Sequence, residues 1–330
     1  VPEDHPPQPK GNHAPKGVTR LAPSPTGALH LGNARTFLIN WALARQQGWR
    51  IVLRIEDLDT PRVKAGAAGE TLQTLEWLGI DWDEGPHVQS HDLEPYRHAM
   101  RTLASMGLAY PCELTRGAIA EAASAPQEGD AAEVRFPPEL RPPGIGPAEF
   151  TDQSTNWRFL NDPATIRFRD RFAGQVSIDP GATIGDFVLW TRRACPSYQL
   201  AVVFDDHRQG VTEIVRGNDL LDSAARQLRL YRALGLSPEP TYTHLPLVRG
   251  ADGRRLAKRH GDTRLTSYRA RGVRAERVIG WLASVSGIGA RAEPRSMPAA
   301  EFLERFEFSR MPREDVVFTA EDERWIDGDS

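Results

Sequence analysis

Cysteine is scarce in this 330-residue chain: Cys112 and Cys195 are the only two, and no Cys-x-x-Cys pair exists. That excludes a disulfide framework and fits a reducing compartment. No apolar run approaches the roughly 20 residues that span a bilayer, and no charged-then-apolar leader opens the chain. No membrane association is therefore expected, and the cytoplasm is the default location. An excess of positive charge is missing too. Lys plus Arg number 41 against 44 Asp plus Glu, a net charge of −3. An RNA ligand would need its cations concentrated locally, because phosphate contacts depend on placed Lys and Arg. Arg249, Arg254, Arg255, Lys258, Arg259, His260 and Arg264 form one such concentration. Charge alone reads that stretch as a solvated basic loop.

What is present is an ordinary globular composition, long enough for two or three units around one main core. Residues 1–16 are Pro-rich, polar and aperiodic, and read as a disordered tail. A strand at 18–22 enters a Pro/Gly turn. A helix follows in which Ala34, Phe37, Leu38, Trp41, Ala42 and Arg45 keep helical spacing. The apolar run 51–55 suits a buried parallel strand, with helices near 70–78 and 93–106. This rhythm predicts an α/β fold with a doubly wound, parallel, Rossmann-type sheet, its first half at 17–107. Residues 108–194 read as an inserted α+β subdomain with short antiparallel strands at 165–172 and 175–178. The second half spans 195–266, with strands expected at 198–205, 212–216 and 243–248 and a helix at 220–234. Residues 267–330 read as a small helical subdomain ending in a polar tail.

Two segments carry chemistry. The turn Pro23-Ser24-Pro25-Thr26-Gly27-Ala28-Leu29-His30-Leu31-Gly32-Asn33 lies between a strand and a helix N-terminus. Backbone N–H groups and the helix dipole there favour a triphosphate. Gly32 lets a nucleotide lie against the backbone, and His30 can donate to a phosphate oxygen. Arg255-Leu256-Ala257-Lys258-Arg259 follows a Gly-containing loop, where a Lys suits closing over the leaving pyrophosphate. Taken singly, the first is also what a Pro/Gly turn with an incidental His looks like, and the second a surface basic stretch. The ordered pair around an α/β core weighs more than either.

At this point the chain resembles the class I aminoacyl-tRNA synthetases, whose two signatures, HIGH and KMSKS, stand here as His30-Leu31-Gly32-Asn33 and Arg255-Leu256-Ala257-Lys258-Arg259. Within that class it is similar to the glutamyl group, through Arg20-Leu21-Ala22-Pro23-Ser24-Pro25-Thr26-Gly27 and Leu53-Arg54-Ile55-Glu56-Asp57-Leu58-Asp59. The nearest resemblance is to the short, queuosine-directed paralogues of glutamyl-tRNA synthetase, through residues 197–207 and 210–221. The resemblance implies an ATP-dependent ligase that uses Mg²⁺ with ATP and makes glutamyl-adenylate. It implies a glutamate pocket built from Arg20, Leu21, Ala22, Pro23, Ser24, Glu56, Tyr198 and Arg216, with His30, Gly32 and Lys258 serving ATP. The chemistry agrees: two arginines can grip two carboxylates, Glu56 can answer the ammonium, and Tyr198 can donate a hydrogen bond. Which arginine takes which carboxylate stays open.

The chain departs from the family in two places. Relatives hold a structural zinc in the insertion through Cys-x-Cys, a Tyr and a further Cys. Here Cys112 remains, Leu114 replaces the second Cys, and no later Cys precedes Cys195. One thiolate does not build a tetrahedral site, so no zinc is expected. Ala257 also stands where the family has Ser. The stretch after Lys258 has room for a small helical subdomain rather than an anticodon-binding region. The resemblance then implies that the core receives the anticodon stem-loop of tRNA(Asp) and places glutamate on queuosine at the wobble position. Two other readings stand beside it: a truncated glutamyl-tRNA synthetase charging tRNA(Glu), and a silent module that binds tRNA or amino acid without activating it.

Overall fold

The computed structural model describes residues 16–25, 27–59, 63–115, 117–119, 134–152, 155–254, 256 and 262–328. In chain order its strands are β1 (Val18–Leu21), β2 (Arg50–Ile55), β3 (Glu84–Val88), β4 (Ala109–Cys112), β5 (Asn156–Phe159), β6 (Ile166–Asp170), β7 (Gly174–Ile178), β8 (Phe187–Thr191), β9 (Cys195–Pro196), β10 (Glu213–Gly217), β11 (Thr241–Leu245), β12 (Val248–Arg249) and β13 (Val316–Val317). The main sheet has seven strands in the order β3-β2-β1-β10-β11-β6-β7. All its neighbours pair in parallel except β6 and β7. β2 is buried along almost its whole length, as a strand covered on both faces must be. The chain winds outward from β1 through β2 to β3, then returns to the other side of β1 at β10. Strand order therefore reverses between β1 and β10, and ligands of open α/β sheets bind outside the carboxyl ends at such a point.

One face of the sheet is covered by α1 (Leu31–Gln47) and by C-terminal helices including Ala275–Ser284 and Ala299–Arg305. Leu38, Trp281 and Phe302 belong to this one core cluster, each at most 1% exposed. Arg35 of α1 stitches the layers, donating to Pro246 O at 2.7 Å, Val285 O at 2.9 Å and Ser286 Oγ at 3.2 Å. The opposite face carries Tyr198–Arg208 and Leu221–Ala233. Among the described residues no helix is long and apolar enough to cross a membrane.

Three expectations change. Residues 198–205 are not a strand but most of the helix Tyr198–Arg208, with Leu200, Ala201, Val202 and Val203 all buried. A short apolar run buried on several sides has no periodicity that separates helix from strand. The hairpin at 165–178 exists, but its strands β6 and β7 extend the main sheet through β11. The inserted segment keeps its own antiparallel sheet, β4-β5-β8-β9. The chain also does not end in a plain polar tail. β13 pairs with β12, and a helix follows at Ala320–Asp327, capped by Thr319 and Asp322. Asp322 further accepts from the buried Trp281 Nε1 at 2.8 Å.

Candidate active site

The carboxyl ends of β1 and β10 open into a cavity of about 490 Å³. At its floor, His30 is the N-cap of α1: its Nδ1 accepts from Gly32 N at 3.1 Å, and Asn33 Oδ1 accepts from His30 N at 3.3 Å. The histidine thus satisfies a helix-end donor as Ser or Asp would. An acceptor at Nδ1 puts the neutral ring's proton on Nε2, making Nε2–H a donor. A Cβ on Gly32 would sit 3.1 Å from His30 Cε1, so glycine is what lets the ring fold over its own helix start. The first turn of α1 carries no acidic residue to offset the dipole's positive end.

The Lys-bearing loop starts and ends on this turn. Leu247 and Val248, just before it, line the cavity. Just after it, Leu31 N donates to Thr263 O at 3.2 Å and Leu265 N to Leu29 O at 2.8 Å. Asp315 accepts from Leu247 N at 2.7 Å and from Arg249 Nε. Leu256 is 4% exposed and packs in the main core. Lys258, with Arg255, Ala257, Arg259 and His260, lies outside the described residues.

Arg20, Ala22, Pro23, Ser24, Glu56, Tyr198 and Arg216 line the same cavity as His30 and Gly32. Alternation along β1 explains the one exception: Leu21 points to the α1 face, fully buried in the core, and does not line the cavity. Beneath the cavity floor lies a buried charge network. Arg20 Nε is 3.4 Å from Asp206 Oδ1, and Arg54 reaches Asp206 at 2.8 Å and Glu56 at 3.1 Å. Burial would lower the Arg54 pKa, but Asp206, Glu56 and Asp205 together raise it, so its charge is secure. Burial lifts the Glu56 carboxyl above its usual range, opposed by Arg54 and Arg20 and reinforced by Asp206. Arg216 differs: its partners are neutral, namely His244 Nε2 at 2.9 Å, Gln227 Oε1 at 2.8 Å and Leu220 O at 3.2 Å.

Sequence reasoning missed Asp205, Asp206 and His244, together with Asp219, Gly217 and Leu220 on the cavity wall. The available signal was two adjacent aspartates, Asp205 and Asp206, directly after the apolar run 200–204, each at most 1% exposed. Among the described residues, no group of three or more His, Cys, Asp or Glu that could hold a metal ion is present. Cys112 is 5% exposed in an apolar cluster with Tyr110, Ile119 and Phe136, and Leu114 packs against it. No cysteine or histidine lies between Cys112 and Cys195. Instead Asp186 accepts from Tyr110 Oη at 2.5 Å, Arg141 Nε and Nη2 at 2.8 Å, and Asn161 N at 2.8 Å.

A mostly parallel sheet with a capped histidine turn at its switch point, and a cavity there that gathers Arg20, Arg216, Glu56 and Tyr198, fit a class I synthetase catalytic domain. The family model described as tRNA synthetases class I (E and Q), catalytic domain, matches residues 16–325, and the chain belongs to this family. It is 45% identical over 317 residues to a glutamyl-Q tRNA(Asp) synthetase of Rhodopirellula baltica, covering 91% of this chain and 96% of that protein. It is 44% identical to the Symbiobacterium thermophilum protein of the same name, covering 92% and 96%. The structure of a glutamate tRNA ligase from Elizabethkingia meningosepticum in complex with its amino acid superposes with a TM-score of 0.73 at 25% identity, covering 94% of this chain and 68% of that one. The chain is an aminoacyl-tRNA-synthetase-like ligase.

Proposed function

We propose that the protein activates L-glutamate with ATP and transfers it to queuosine at the wobble position of tRNA(Asp). The observation that carries this is the convergence of Arg20, Arg216, Glu56 and Tyr198 on the cavity that also holds His30. In the first step a glutamate α-carboxylate oxygen attacks the ATP α-phosphorus in line, and pyrophosphate leaves with the bonding electrons. ATP enters with Mg²⁺, as is typical of class I synthetases. Little covalent work falls to the protein, so positioning and charge stabilisation account for the rate. His30 Nε2–H, the α1 N-terminus and Lys258 answer the phosphate charge. Arg20 and Arg216 hold the carboxylates, while ionised Glu56 holds the ammonium. In the second step a hydroxyl of the RNA attacks the activated carbonyl and AMP leaves.

The acceptor is supported by the names of the relatives, glutamyl-Q tRNA(Asp) synthetases at 45% and 44% identity, each covered to 96% of its length. The insertion is proposed to fold without zinc, held by the hydrogen bonds of Asp186; zinc bound one per chain in the purified protein by mass spectrometry would overturn that. The test of the acceptor uses labelled glutamate with two RNAs. Label on queuosine-containing tRNA(Asp), and none on the 3′ end of tRNA(Glu), is expected. The reverse pattern rejects the acceptor.

A further inference from the structure

The two cavity arginines are braced in different ways. Arg20 leans on a carboxylate, Asp206, whereas Arg216 has only neutral acceptors although it is 5% exposed. Three of its five N–H groups are taken by His244, Gln227 and Leu220, leaving one on each terminal nitrogen. Such a buried cation would ordinarily be given a carboxylate of its own. The carboxylate is present but one residue removed. Asp170 Oδ2 lies 2.7 Å from His244 Nδ1, and Asp170 also accepts backbone N–H groups of His244, Phe172 and Ala173. Asp170 and His244 are each 1% exposed.

We propose that Asp170 and His244 are positioning residues for Arg216, which fix its guanidinium with a neutral acceptor so that its whole positive charge is left for the amino acid's carboxylate. This rests on the reading of Arg216 as a glutamate-binding residue. Asp170 accepts the hydrogen bond of Nδ1–H and so keeps the ring's proton there, which leaves Nε2 as the acceptor that Arg216 Nε–H needs. Burial, opposed by Asp170 and reinforced by Arg216, holds His244 below the ordinary imidazole range, so the ring is neutral at pH 7. Asp170 comes from β6, which reaches the site only because the hairpin joins the main sheet beside β11.

The experiment measures KM for glutamate and for ATP in ATP–pyrophosphate exchange, with thermal melts, for four variants. His244→Gln places a neutral acceptor near Nε2 and should stay within a few-fold of wild type. His244→Asn places its amide near Nδ1 only and should raise the glutamate KM about tenfold or more, with ATP KM unchanged. Asp170→Asn lets the ring adopt the other tautomer, so that Nε2–H faces Arg216 Nε–H; a similar rise is expected. Arg216→Gln is the control for the underlying reading. If Arg216→Gln leaves glutamate KM unchanged, the site assignment itself fails. If it raises KM while His244→Asn matches His244→Gln, the assignment stands and the relay is rejected. Should Asp170→Asn not fold, the two His244 variants decide alone.

Discussion

The proposed reading gives His30 two jobs that can be separated by substitution. Its Nδ1 caps α1 through Gly32 N, and its Nε2–H is the group proposed to donate to phosphate. Asparagine caps helices as well as any residue but has no donor at the Nε2 position. His30→Asn should leave the melting temperature within a degree or two and slow pyrophosphate exchange about 10²–10³-fold, the usual loss for one aligned donor. Equal losses of stability and rate would show that the cap was the only role. Glu56 makes a prediction about pH. Its carboxyl is lifted by burial, partly countered by Arg54 and Arg20. Because the folded chain then holds its proton more tightly than the unfolded chain, the group's contribution to stability is complete below the unfolded pKa and is lost as pH rises through the folded one. On the proposed reading the glutamate ammonium pairs with the ionised form, so glutamate KM in the wild type should climb as pH falls toward the Glu56 pKa. In Glu56→Gln it should be about tenfold higher and flat across that range. Parallel profiles for the two proteins would remove Glu56 from ammonium binding.

At the scale of elements, the parts that could be read early were those whose signal is local. The histidine turn, α1 and β2 each carry their pattern within a few residues, and the structure has them at those positions. The helix Tyr198–Arg208 stands where a strand is expected because the helices Glu94–Ser105 and Leu221–Ala233 and strand β8 all pack on it, which erases the amphipathic stripe. His244 and Asp170 were invisible for another reason. Their partners lie far along the chain, Asp170 being 74 residues from His244, and only the sheet order brings them together. Leu21 shows the converse: a residue inside a motif is not in the pocket when strand alternation turns it away. The insertion offers a test at this scale. Asp186 is fully buried and joins Tyr110, Arg141 and Asn161 from three separate segments. Asp186→Ala leaves those donors unsatisfied and should cost about 3 kcal/mol, the lower end for a broken buried pair because Arg141 is partly solvent-facing. Calorimetry should register that loss, while glutamate KM should stay near wild type because the insertion core is separate from the cavity. An unchanged melt would rule out the Asp186 cluster as what holds the insertion together.

For the whole molecule, a net charge of −3 coexists with a cavity lined by Arg20 and Arg216 and proposed to take anions. The two are compatible because cations are placed rather than summed. Arg20 and Arg216 enter from adjacent strands at the switch point, the dipole of α1 points its positive end at the same space, and Asp206 and Glu56 keep the balance beneath. The C-terminal segment belongs to this arrangement as well, since Asp315 and β13 hold the strand from which the Lys loop departs. Ligand choice follows from the charges: a side-chain amide in place of the carboxylate would leave a buried cation without its partner. Pyrophosphate exchange measured with glutamate, glutamine and aspartate, with and without tRNA, tests this most directly. Exchange with glutamate at roughly a hundredfold or greater preference over glutamine is the predicted result. Equal exchange with glutamine, or none with glutamate under either condition, would contradict the account.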